Sequence, residues 1–250
     1  MIINAGGPEP QLRKLWKDTF HDSEEYLDLF FRVAYSPERC RCITHGDQVL
    51  SMVYWFDATW NGHKLAYLFA AATDIRHRGQ GLFRKLMADT HEHLKTQGYH
   101  GAVLSPAEPS LFDFYGTMGY KSFGAVDTFT CDAGVSPAEI VRLTPKEYSL
   151  RRRNLLPENS ILQEGLTLDF LSKYSEFWAG ADFLLCCAKE DHTLYVQELL
   201  GNTTNAPAIV AALDCAEGHF RTPGSTSPLA MYLPLTEDDS FPGYFGLPLD

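Results

Sequence analysis

Apolar residues recur at helical spacing between residues 10 and 20, where Leu12, Leu15, Trp16 and Phe20 share one face. A second helix is predicted from Asp22, an N-cap residue with Glu25 three positions on. It carries Tyr26, Leu29, Phe30 and Val33 and stops at Pro37. The period then changes from helical to alternating. "CRCI" is a short extended stretch, His45-Gly46-Asp47 is a turn, and "VLSMVYWFDATW" is a run of β-formers. Asn61-Gly62 is a strong hairpin signal, so "KLAYLFAAAT" returns as a strand and completes a three-stranded antiparallel meander.

From Arg78 the pattern is helical again. Leu82, Phe83, Leu86, Met87 and Leu94 form an apolar stripe, with Gly98 as its stop. "GAVLS" reads as a short buried strand, "PSLFDFYGTM" as a short helix opened by Pro109, and "YKSFGAVDTFTC" as one more strand with a glycine inside it. The order α-α-β-β-β-α-β-α-β reads as an α/β or α+β sandwich with one glycine-rich strand-to-helix turn at its centre.

Beyond Cys131 the pattern weakens. Residues 136–154 read as a helix interrupted at Pro145, and "LTLDFLSKYSEFW" reads as a helix. "FLLCCAKE" and "LYVQELL" form a hairpin, "APAIVAALDCA" is a helix, and "SPLAMYLPL" is a final strand. This order echoes the first half, without a repeat at the level of residues. The expected organisation is one domain over 1–130 and a second, smaller α+β domain over 131–250.

Charge divides the same way. Of the net −11, residues 1–128 carry −2 and residues 129–250 carry −9. A broad basic footprint for nucleic acid is excluded, leaving only the local run Arg151-Arg152-Arg153. Apolar runs stay far below the ~20 residues that span a bilayer, and the first residues lack a signal-peptide pattern. The expectation is a cytoplasmic protein that binds neither nucleic acid nor membrane, with homo-oligomerisation left open. Six cysteines give no disulfide framework, and Cys40-x-Cys42 has no second pair, so no metal is expected. His91-Glu92-His93 reads as solvated helix surface, because residues two apart do not share a helix face.

The segment that carries chemistry is "AATDIRHRGQGLFRKLM". Glycines at a strand end followed by a helix free backbone N–H groups, and the helix dipole adds positive potential. A phosphate or pyrophosphate is the natural ligand. No Lys-Ser or Lys-Thr pair follows, which excludes a Walker loop. The preceding meander excludes a dinucleotide fold.

Here the sequence resembles the GNAT superfamily of N-acetyltransferases, whose acetyl-CoA motif is Gln/Arg-x-x-Gly-x-Gly/Ala between a strand and a helix. Arg76-x-x-Gly79-x-Gly81 fits its letters. The register that keeps the helix in phase is instead Arg78, Gly81 and Phe83, with Phe83 where the family has Gly or Ala. A second segment, "EPSLFDFYGTMGY", matches a later family signature at Tyr115, Gly119 and Tyr120, with Glu108 in place of the usual Asn. The likeness covers about residues 10–130. The chain also resembles bacterial GNAT proteins that fuse an active domain to a degenerate GNAT-like one.

The resemblance implies an acetyl-CoA-dependent N-acetyltransferase. The backbone of Ala71, Ala72 and Thr73 would line the pantetheine, and Glu108 would take the Asn position. Arg78, Gly79, Gln80, Gly81, Leu82, Phe83 and Arg84 would hold the pyrophosphate, and Tyr115 would be the general acid. A phenol with an ordinary pKa near ~10 can protonate a departing thiolate. The strand before the loop has no carboxylate, so the base stays open among Asp74, Asp57, His63, Glu108, a water chain and the terminal Asp250. The acceptor is expected to be a primary amine, a cationic small molecule or a lysine. Tyr54, Trp55, Phe56 and Trp60 are divided between a pocket lining and core. The competing class is a non-catalytic acyl-CoA-binding or interaction protein; transfer to a hydroxyl, or of a longer acyl chain, is a third reading.

Overall fold

In the computed structural model, which describes residues 1–238 and 240–249, internal packing separates the chain into two units. The first comprises Met1–Leu104, Pro109–Lys121 and Tyr232–Ser240; the second comprises Ser105–Glu108, Ser122–Met231 and the chain from Phe241 onward. The architecture is α+β, with mostly antiparallel sheet flanked by helices.

The first unit runs β1 (Ile2–Ala5), α1 (Glu9–Phe20), α2 (Glu24–Val33), β2 (Cys40–His45), β3 (Gln48–Trp60), β4 (His63–Thr73), α3 (Leu82–Thr96), β5 (Gly101–Leu104) and α4 (Pro109–Gly116). Its strands lie in the order β1-β2-β3-β4-β5, antiparallel up to β4 and parallel between β4 and β5. Strand β3 is buried on both faces, which is why it reads as a continuous apolar run. Tyr54 meets Trp16 of α1 at 5.5 Å and Phe30 of α2 at 5.1 Å. Trp55 packs on His93 of α3 at 5.9 Å. All four aromatics of the "VYWFDATW" stretch are core residues, at most 3% exposed.

Two details of this unit differ from the pattern reading. The N-cap of α2 is Ser23, whose hydroxyl accepts from the Tyr26 N–H, while Asp22 accepts from the Trp16 indole at 2.7 Å. Leu27, absent from the expected face, is fully buried beside Phe30. Strand β1 is marked by no alternation, because its four residues are an edge that leans on β2.

The second unit holds β6 (Lys121–Asp132, whose first residue belongs to the first unit), β7 (Val141–Leu143), α5 (Pro145–Leu155), α6 (Leu166–Leu171), β8 (Glu176–Ala179), β9 (Phe183–Glu190), β10 (Thr193–Gly201), α7 (Ala206–Ala212), β11 (Glu217–Gly224) and β12 (Ser227–Pro234, whose residues from Tyr232 on belong to the first unit). Pro145 starts α5 rather than interrupting it: it sits in the first turn behind a Thr144–Glu147 capping box. The predicted helix over 166–178 ends at Leu171, and Glu176–Ala179 is a strand against β9. Strand β11, containing Pro223, gives no strand signal in the sequence; β6 pairs along its whole length.

The topology makes the faint echo concrete. The run β7-α5-α6-β8-β9-β10-α7-β11 repeats β1-α1-α2-β2-β3-β4-α3-β5 element for element. The pairing senses also match, with three antiparallel contacts and then a parallel one. Among the described residues no helix is long and apolar enough to cross a membrane.

Candidate active site

Strand β4 pairs with β5 only over Leu65, Ala66 and Tyr67, and then the two parallel strands part. Just beyond that point β4 carries a bulge. Tyr54 of β3 faces Phe69 and Met52 faces Ala72, so Val53 stands opposite both Ala70 and Ala71, and Ala70 adopts a left-handed φ of 46°. A bulge turns peptide groups out of the ladder toward a neighbouring ligand. Ala71 is half-buried there. Ala72 and Thr73 are buried, tied down by the Ser51 hydroxyl, 2.8 Å from the Ala72 carbonyl and from Thr73 Oγ1.

The loop that follows is built on Asp74. Its carboxylate accepts from the Arg76 backbone N–H at 2.9 Å and from the Arg76 guanidinium at 2.7 and 3.1 Å, and it faces His77 at 3.3 Å. The Arg76 bonds hold its pKa far below the usual carboxylate range. Asp74 is therefore the staple of the loop and is fully engaged. Arg78 Nε donates to the Thr73 carbonyl at 3.2 Å, closing the turn.

Gly79 and Gly81 take φ values of 76° and 75°, and a Cβ on either would meet nothing within 4 Å. Backbone conformation requires glycine here, and the space above it is open. Helix α3 starts at Leu82, directly after Gly81. Lys85 makes the first intrahelical bond, to the Gly81 carbonyl at 3.0 Å, so the amides of Leu82, Phe83 and Arg84 have no partner within the helix. No acidic residue stands in that turn, and Arg84 and Lys85 add positive charge. A terminus of this kind suits an anion. The Leu82 side chain is buried, so its contribution there is its amide; Gln80 is exposed.

Helix α4 is stitched to that terminus. Arg84 donates to the Thr117 hydroxyl at 2.5 Å and to the Thr117 carbonyl at 3.3 Å, with its guanidinium 5.8 Å from the Phe114 ring. Tyr115 is half-buried, and burial pushes its phenol up to about 12. Its ring is met edge-on by Phe83, Phe114 and Tyr120 at 6.1, 5.5 and 5.8 Å. Behind it, the buried Tyr120 hydroxyl lies 2.8 Å from His91 Nε2. His91 is thus a core residue and not solvated surface, because its ring turns inward from α3 toward Tyr120.

The remaining candidates are placed as follows. Asp57 is disfavoured as a carboxylate by burial. Its bonds to the Tyr99 hydroxyl and to Arg39 (2.7 Å) outweigh that and set its pKa below normal. His63 is exposed and stacks on His100 at 4.3 Å. Glu108 is exposed and belongs to the second unit. Asp250 lies outside the described residues. The Arg151–Arg153 run is not a basic patch: Arg152 is buried on Glu198 and Arg153 pairs with Glu164. All six cysteines are unpaired, and among the described residues no group of side chains could hold a metal. Sequence reasoning missed Ala70, Thr117 and the His91–Tyr120 pair, none of which carries a local signal.

Comparison with known proteins fits this geometry. The family profile described as an acetyltransferase (GNAT) domain matches residues 7–123. A GCN5-related N-acetyltransferase structure from Anabaena variabilis superposes with a TM-score of 0.73 at 12% identity, covering 94% of this chain and 73% of that one. A GCN5-related N-acetyltransferase from Kribbella flavida gives 0.66 at 15% identity, covering 94% and 72%. A tandem GNAT protein of the clavulanic acid biosynthesis pathway gives 0.55 at 11%, covering 92% and 96%. At these identities the likeness is one of fold. No curated protein matches the sequence.

Proposed function

Since residues 7–123 match the acetyltransferase (GNAT) domain model, we propose that the protein transfers the acetyl group of acetyl-CoA to a primary amine, with Tyr115 as proton donor. The observation that carries this reading is the parting of β4 from β5 at a bulge, leading into a glycine loop whose open amides cap α3. The bulge at Ala70 and Ala71 interrupts the ladder, and backbone N–H groups released there would stabilise a thioester's carbonyl oxygen. The amides of Leu82, Phe83 and Arg84, with the Arg84 and Lys85 side chains, suit a pyrophosphate. Leu82 and Phe83 contribute backbone there, and Gly79 and Gly81 contribute open approach.

In the step itself, the amine nitrogen bonds to the carbonyl carbon and the carbon–sulfur bond breaks. The departing sulfur takes the Tyr115 hydroxyl proton, and the amine's surplus proton passes through water to restore the Tyr115 hydroxyl. Burial keeps the phenol protonated across neutral pH, so the donor is always loaded. Because Asp57 and Asp74 are both engaged elsewhere, neither is assigned as base. The acidity of residues 129–250 favours a cationic acceptor such as a polyamine, an aminoglycoside or a lysine side chain. Six unpaired cysteines fit a cytoplasmic setting.

One cofactor site per chain is part of the proposal, the second unit being a degenerate repeat. Between β10 and α7 there are only the residues Asn202–Asn205, with no basic side chain. The strands β10 and β11 also part after Val196, but Arg221 Nε donates to the Gln197 carbonyl at 2.8 Å and Thr222 to the Leu199 carbonyl at 2.9 Å. Side chains of the repeat thus hold the backbone that the first unit leaves open.

The test is calorimetry with CoA followed by thiol release from acetyl-CoA with an amine panel. CoA binding at one site and amine-dependent thiol release support transfer. CoA binding without thiol release for any amine favours the acyl-CoA-binding module, the reading that Phe83 and Glu108 at motif positions support.

A further inference from the structure

Phe83 occupies the second residue of α3, in the middle of the anion-binding turn, and its side chain does not point into open space. It is half-buried against α4, with its ring 5.6 Å from Phe114 and 6.1 Å from Tyr115. The turn whose amide would meet the pyrophosphate is therefore the same turn whose side chain walls in the Tyr115 ring. Tyr115 also meets Tyr120, whose hydroxyl is held by His91 at 2.8 Å. Phe114 is the chain neighbour of Tyr115 and moves with α4. The edge-on contact from Phe83 reaches the phenol from the first turn of α3, whereas those from Phe114 and Tyr120 come from α4 and the segment after it.

We infer that Phe83 is a positioning residue for Tyr115, one that couples occupancy of the phosphate loop to the orientation of the proton donor. This rests on the acetyl-CoA reading above and extends it. A residue with no side chain beyond Cβ at this position leaves the amide free to bind phosphate, but it removes one wall of the phenol's pocket. Coupling of this kind costs the protein the tightest approach of the phosphate and makes the donor's orientation responsive to the bound ligand.

The test uses the full-length protein with 3-fluorotyrosine installed at position 115, alone and with Phe83→Ala or Phe83→Leu, and CoA as the probe. In the parent protein the fluorine resonance is narrow and moves on saturation with CoA. In Phe83→Ala it broadens, and its CoA-induced movement falls by at least about half, while the CoA Kd stays within about threefold. Phe83→Leu, which refills part of the wall, restores most of the movement. In thiol release with the best amine of the panel, Phe83→Ala lowers kcat about tenfold with little change in KM for acetyl-CoA. An unchanged resonance and response in Phe83→Ala overturns the inference, as does a loss confined to CoA affinity. Failure of the premises reads differently. No calorimetric heat with CoA in the parent removes the site and the coupling with it. Full kcat in Tyr115→Phe with intact CoA binding removes the donor, and Phe83 is then packing only.

Discussion

His91 Nε2 lies 2.8 Å from the Tyr120 hydroxyl, inside the layer between α3 and the segment that follows α4. Both residues are buried, and burial holds the imidazole down to about 4. The ring is neutral at neutral pH, free to share a hydrogen bond with the phenol. An unfolded chain binds a proton on this histidine near ~6.5, which the native protein refuses until about 4. Stability from this site is present in full above pH 6.5 and is lost as pH falls toward 4, by up to about 3 kcal/mol. Denaturant midpoints taken from pH 7 down to pH 4 should show that slope, and His91→Gln should remove most of it. A variant with the parent's slope would mean another group carries the acid sensitivity.

Tyr115→Phe should lower thiol release by about 10²–10⁴-fold while leaving the CoA Kd in place. Because burial raises the phenol to about 12, the parent's rate should show no alkaline limb from this group below about pH 11. A rate that falls through pH 9–10 in the parent and not in the variant would contradict that placement.

Gly81→Val should weaken CoA binding by at least about tenfold, measured by calorimetry. A β-branched residue at φ 75° is strained by roughly 1–2 kcal/mol, and relief of that strain moves the amides of the first turn of α3. Asp74→Asn should act in the same direction, since it loosens the hydrogen bonds to Arg76 that shape the loop. Affinity equal to the parent's in both would place the anion elsewhere.

In the second unit, Glu198 is fully buried and satisfied by Arg152 at 2.6 and 2.8 Å, Tyr148 at 2.8 Å and Tyr244 at 3.1 Å. Arg152→Met strands that carboxylate and should cost about 3–5 kcal/mol in urea unfolding. The double change Arg152→Met with Glu198→Leu should recover much of the loss, because both charges then disappear together. A single variant as stable as the parent would show that Glu198 is held adequately by the two phenols.

Much of the first unit was legible because its signals are local. Asn61-Gly62 takes φ values of 49° and 80°, as a tight hairpin requires, and the helix stop at Gly98 has a φ of 75°. The two glycines of the loop could be read because left-handed backbone at a strand end leaves a composition mark. The second unit was less legible for an equally physical reason. Strands β7 and β8 have three and four residues, Pro223 sits inside β11, and β8 follows a helical turn without a break in apolar pattern. The fifth strand of each repeat pairs in parallel with the fourth across an intervening helix, so its place is fixed by a partner well separated in sequence.

The sequence by itself determined the meander, the long amphipathic helix, and a turn whose glycines and bases suit an anion. It also determined which residue types stand at Arg78, Gly81 and Tyr115. Only the tertiary structure decided that Ala70 is a bulge, that Asp74 staples the loop, and that Phe83 and the His91–Tyr120 pair surround Tyr115. Those facts depend on ladder register and on side chains from separate elements meeting in space. Local propensity does not encode such meetings. They follow from how helices pack on a twisted sheet, and the same packing turns a triple-arginine run into one buried ion pair and one surface bridge.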